Sequence, residues 1–258
     1  MTTAHPAGPP ATTTPWAAVL RTETRLFLRE PGSVFWILVF PAVLLTILGL
    51  IPSFRHPEEG LDGRRVIDLY VPVAVLLAMI MAGLQAMPPV LTGYRERGIL
   101  RRMSTTPVRP SALLVAQIAL HGAAALGSAA LVMAVGRIVF DVTLPEQPFG
   151  YLLALLLATA SVLALGALLC AISRTTKASS AIGSVVYLAM MFTAGVWLPV
   201  QSMPDTLRRI VEVTPFGAAS QALDRAATGS WPGWVQLGVM ALWAALVTVS
   251  ATRLFRWE

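Results

Sequence analysis

The chain has 258 residues, of which 56% are apolar and 12% charged, with a mean hydropathy of +0.70. A charged share about half that of a soluble domain excludes a disordered chain and argues against a soluble globular one. The net charge of +6 comes from arginines and the single Lys177, scattered along the chain rather than gathered on an aromatic-studded face, so nucleic acid is not the indicated partner.

Residues 1–15 are rich in Thr, Pro and Ala and lack periodicity, which predicts a disordered tail before one transmembrane domain over 16–258. From Trp16 to Glu30 the pattern becomes helical. Trp16, Val19, Leu20, Glu23, Leu26 and Phe27 fall near one face and Arg21, Arg25 and Arg29 mostly on another, as in a helix lying in the membrane interface. Pro31-Gly32 breaks that helix.

Beyond this point the charges cluster and leave six uncharged runs, at 31–54, 69–94, 110–136, 147–173, 178–204 and 226–252. A helix needs about 20 apolar residues to cross a hydrocarbon core of about 30 Å. The runs predict an all-α membrane protein with six transmembrane helices, near 32–53, 69–91, 111–136, 148–173, 178–200 and 233–253. With both termini inside, twelve Arg and Lys lie on inner segments and seven on outer ones, and nine of the 13 acids lie outside. The positive-inside rule therefore predicts an N-in, C-in topology.

The runs contain no Asp, Glu, Lys or Arg. Proton-coupled carriers usually keep an ionisable group within the bilayer, and intramembrane metalloenzymes need clustered ligands. A secondary carrier or channel independent of ATP is therefore the weaker transport reading, and an intramembrane enzyme weaker still. Gln85, Gln117 and His121 are the candidate lining of a substrate pathway. His121 reads more simply as a neutral imidazole bonded to a neighbouring helix.

The segment from Tyr94 to Pro110 is the most distinctive. Ile99, Leu100 and Met103 form an apolar edge at helical spacing among five arginines, and Pro107 and Pro110 end the helix. Further on, Ser202 with Asp205 predicts a capping box opening a helix to about Val213. Thr214-Pro215 opens a second helix that Gly229 closes.

The string ERGILRRMSTTPV resembles the loop E-x-G-T-L-x-R-[LM]-x-x-T-P-V of ABC-2-type permeases, matching at Glu96, Gly98, Leu100, Arg102, Met103, Thr106, Pro107 and Val108. It departs at Ile99 and Arg101. The closest likeness is to the daunorubicin-exporter-like branch. The resemblance implies a multi-pass permease of a bacterial plasma membrane, exporting a drug, lipid or secondary metabolite. It also implies two copies of a separate ABC ATPase subunit and a second permease copy, in a homodimer.

On this reading 95–107 is the coupling helix. Arg95, Arg97 and Arg102 would pair with acids of the ATPase beside Glu96, Ile99 and Leu100 would fill its groove, and Gly98 would allow close approach. Two short external helices would cap the exit, with Asp205, Glu212 and Asp224 at an extracellular gate. The chain has no G-x-x-x-x-G-K-[ST], because its one lysine follows Thr176, so ATP and Mg would be bound by the partner and no catalytic site or cofactor is expected here.

Overall fold

The computed structural model describes residues 15–58, 61, 63–103 and 110–254. The expected tail up to residue 14, and Pro107, lie outside them.

Helix α1 (Pro15–Leu28) ends before Pro31, whose missing N–H suits the start of the next helix, α2 (Pro31–Gly49). After a short turn at Pro52–Arg55 comes α3 (Val66–Glu96), opened by Arg65, whose backbone N–H donates to Asp68 at 3.1 Å. A two-residue turn leads to α4 (Ile99–Met103). Then follow α5 (Pro110–Phe140), α6 (Pro148–Ile172), α7 (Thr176–Thr193), α8 (Asp205–Glu212), α9 (Pro215–Ala227) and α10 (Trp234–Leu254).

Five of these, α2, α3, α5, α6 and α10, are long and apolar enough to cross a membrane, and the protein is a multi-pass membrane protein. The helix expected over 178–200 differs. It stops at Thr193 after 18 residues, because Gly195 takes a positive φ of 84° and Pro199 follows. Its first half also carries Lys177, Ser179, Ser180 and Ser184, so it falls short of the apolar length of the other five.

Helix α3 is the axis of the bundle. In its most apolar stretch 83% of residues are buried, among α2, α5, α6 and α7. Its backbone meets that of α6 where two glycines face each other. A Cβ on Gly166 would stand 2.1 Å from the Gly83 carbonyl oxygen, so only glycine permits this approach. Helix α6 in turn receives α10, where the Ser161 hydroxyl donates to the Met240 carbonyl at 3.1 Å.

Helices α2 and α3 each contain a π-helical turn, Phe35–Val39 and Met81–Ala86. Each turn lies just before a proline, Pro41 and Pro88. Neither proline can donate to the carbonyl four residues earlier, and its ring crowds that carbonyl, so the helix widens by one residue per turn. The two widened turns are neighbours in space.

At the far end from α4, the expected cap of the first short helix moves. Pro204, not Ser202, precedes α8, and no side chain caps it. Proline fixes the extended entry that Ser202 was expected to shape. Thr214 does cap α9, its hydroxyl accepting from the Gly217 N–H at 3.1 Å, and Gly229 follows the helix with φ 84°.

Candidate functional site

The last turn of α3 gathers most of the polar chemistry at the α4 end. Three consecutive side chains leave it in three directions. The Tyr94 hydroxyl donates to Glu23 of α1 at 2.9 Å. The Arg95 guanidinium donates to the carbonyls of Cys170 and Ser173 at 2.8 and 3.0 Å, at the C-terminus of α6. The Glu96 carboxylate accepts from the backbone N–H of Thr176 at 2.9 Å and from its hydroxyl at 2.5 Å, at the N-terminus of α7. Both charges suit the helix ends that they meet: a cation at exposed carbonyls, an anion at exposed amides.

Arg97 folds back on its own helix, donating to Gly93 O at 3.0 Å with its guanidinium 5.4 Å from the centre of the Tyr94 ring. Gly98 turns the chain with φ 67°, a conformation that favours glycine. Within α4, Leu100 is 3% exposed and belongs to the core, so it faces inward rather than toward a partner. Ile99 is half-buried, and Arg101 and Arg102 are exposed. Ile99 and Met103 line a surface hollow of about 420 Å³ between α4 and α1, with Val19, Leu26 and Glu23.

Arg95 therefore meets its own chain, where the sequence suggested a partner's acid. Glu23 was not among the expected site residues, although it stood in the sequence as the one acid on the apolar face of its helix. It is 7% exposed and accepts from Gln117 at 2.5 Å as well as from Tyr94. Burial raises its pKa above the ordinary carboxylate value, and the two hydrogen bonds offset part of the rise.

The expected pathway trio divides. Gln117 and His121 are buried beneath α1. The His121 ring faces Phe27 edge-on at 5.7 Å, and its Nδ1 lies 3.0 Å from the Gln117 carbonyl one turn earlier. Gln85 stands elsewhere, on the wall of a cavity of about 480 Å³ between α2, α3 and α7. Trp36 and Ile37 from one π turn and Met81, Gln85 and Ala86 from the other line it, with Tyr187 of α7 and with Glu30 and Ser33. Tyr187 also borders a second, apolar cavity of about 310 Å³ between the same three helices, with Leu45, Tyr70 and Trp197. Tyr187 lines both, so the two hollows adjoin along the groove between α2, α3 and α7.

The three acids expected at a gate do not gather at one point. Asp205 and Glu212 both pair with Arg208 on α8, at 2.6 and 3.7 Å, and Glu212 also accepts from Gln221. Asp224 pairs with Arg64 at 2.8 Å and so ties α9 to the segment before α3. Among the described residues, no three of His, Cys, Asp and Glu stand close enough to hold a metal ion.

Comparison with known proteins assigns this architecture. The chain is similar to a Bacillus subtilis (strain 168) protein, YvfS, whose name describes it as a transport permease. The two share 22% identity over 215 residues, covering 81% of this chain and 85% of the relative. The ABC-2 type transporter family matches residues 14–225, which take in α1, the π-turn pair, the α3–α4 junction and most of α9. With that match over most of its length, the chain belongs to the ABC-2 type transporter permeases, the membrane subunits of ABC transporters.

Proposed function

We propose that the protein is the permease of an ATP-driven exporter that moves an amphiphilic or hydrophobic compound, a drug, lipid or secondary metabolite, out of a bacterial cell. The observation that carries the reading is α4: a short basic helix with exposed Arg101 and Arg102, fixed to the end of the most buried span beside an apolar hollow. This is a surface suited to a partner's acidic groove, and an ATPase subunit supplied in trans, binding ATP and Mg, is that partner. The loop string around Gly98 favours the daunorubicin-exporter-like branch.

The groove between α2, α3 and α7 supports the cargo class. It is walled by aromatic, Met and aliphatic side chains, with Gln85 and Glu30 as polar points, which matches a molecule with an apolar body and a polar end. Helix α7 serves as the remaining crossing, since 18 residues rise about 27 Å. Val185 and Leu188 on α7 and Trp36 and Ile47 on α2, two of the helices that wall the groove, are exposed large apolar groups. A second copy of the chain seated there makes a homodimer with two ATPases and encloses the pathway. The arginine distribution supports cytoplasmic termini, with α8 and α9 at the outer face.

The test is ATP hydrolysis by the protein purified in lipid with the ATPase subunit that co-isolates from its native membrane, against that subunit alone. Daunorubicin and a fluorescent short-chain phospholipid are the probe amphiphiles. A stable complex whose hydrolysis responds to either probe supports the reading. Failure to associate in several lipid compositions overturns it.

A further inference from the structure

The chain connects α4 covalently to α3 on one side and leads on to α5 on the other. A displacement of α4 passed along the backbone alone would reach those two spans first. The non-covalent contacts at the end of α3 lead elsewhere. Arg95 holds the last carbonyls of α6, and Glu96 holds the first amide and hydroxyl of α7. Helices α6 and α7 are joined only by residues 173–175, so neighbouring residues of opposite charge grip both sides of one short connection. Helix α7 then carries Tyr187 and Met191 to the groove wall that faces α2.

We propose that Arg95 and Glu96 are positioning residues that transmit movement of α4 to the α6–α7 turn, so that the α7 wall of the groove moves with the docking helix. This rests on the reading of α4 as the ATPase docking helix. The Glu96 contact is suited to the task. It has two points, one to the backbone and one to a side chain, so it fixes direction as well as distance. It is exposed, so water competes for its hydrogen bonds and the link can release and re-form during a cycle. Arg95 is half-buried beside Cys170 and serves as the more permanent pivot.

Backbone hydrogen exchange tests this on the complex isolated with its ATPase, in lipid nanodiscs, with and without ATP, Mg and vanadate. In the unaltered protein, nucleotide trapping changes exchange both in α4 and in the first turns of α7, by about fivefold, the scale on which one net hydrogen bond shifts an opening equilibrium. In Glu96→Ala and in Thr176→Val, the α4 response persists and the α7 response falls below about twofold, while Thr176→Ser, which keeps the hydroxyl, restores it. An α7 response undiminished in both variants overturns the inference. So does an α4 response without any α7 response in the unaltered protein. If no ATPase co-isolates, or if nucleotide leaves α4 itself unaffected, the functional reading falls and this inference with it.

Discussion

Gly166 of α6 and Gly83 of α3 bring two membrane helices into backbone contact, with the place of a Gly166 Cβ only 2.1 Å from the Gly83 carbonyl oxygen. The obstacle is a backbone atom of the most buried helix and cannot swing aside. Gly166→Ala therefore separates α3 from α6 and destabilises the protein by about 3 kcal/mol or more, at the upper end of overpacking costs. Gly238→Ala in α10 meets nothing within 4 Å and is neutral to stabilising. Thermal unfolding in detergent distinguishes them: an unchanged transition in Gly166→Ala would contradict the close approach.

The buried carboxyl of Glu23 makes stability depend on pH in a defined direction. Its pKa is raised in the folded protein above the ordinary 4.5, so the native state binds the proton more tightly than the unfolded one. Its contribution is full below 4.5 and is lost as pH rises through the raised value. Glu23→Gln removes that dependence. Melting curves between mildly acidic and neutral pH are expected to show the unaltered protein losing stability relative to Glu23→Gln as pH rises. The opposite slope would mean that the hydrogen bonds from Tyr94 and Gln117 outweigh burial.

Glu23→Ala is expected to be worse than Glu23→Gln. It leaves the Tyr94 hydroxyl and the Gln117 amide without their acceptor, at a cost of about 1–3 kcal/mol. The loss is read as a lower unfolding temperature together with easier proteolysis of α1. A variant as stable as Glu23→Gln would show that water replaces the carboxylate.

The Arg64–Asp224 pair is partly shielded, with side-chain exposures of 31% and 16%. A double-mutant cycle with Arg64→Ala and Asp224→Ala is expected to give a coupling of about 0.5–1 kcal/mol, weakened by salt. Additive single effects would mean that the pair adds nothing to the docking of α9.

The two short helices at that end separate a real cap from an apparent one. Thr214→Ala removes an acceptor from the Gly217 N–H and costs about 1 kcal/mol, whereas Ser202→Ala, which caps nothing, stays within about 0.5 kcal/mol. Hydrogen exchange of the amides following each position checks both.

Local punctuation was legible in the sequence because its causes are local. Pro31 after Glu30, Thr214-Pro215 and Gly229 each mark an element boundary through the dihedral or hydrogen bond of a residue and its near neighbours. Leu100 was harder, because helical spacing gives an apolar edge but not the direction in which it faces. The partners of Arg95 and Glu96 lie some 80 positions away. No spacing rule connects them, and both side chains read equally as part of a solvated basic loop. Glu23 carried a signal, an acid on an apolar helix face, whose meaning depended on Gln117 lying opposite.

Composition and the gaps between charges determined that this chain lives in a membrane, and the loop around Gly98 placed it among the ABC-2 permeases. Which helix is central was decided only by tertiary structure. The most apolar stretches of α2 and α3 have the same mean hydropathy, 2.2, yet 28% of one stretch and 83% of the other is buried. In water, an apolar helix must find the interior. In a bilayer, lipid satisfies an apolar surface as well as protein does, so hydropathy assigns the solvent and not the neighbours. The neighbours follow from close fit, glycine against glycine at Gly83 and Gly166, and from the few polar groups that must find one another where lipid gives way to water.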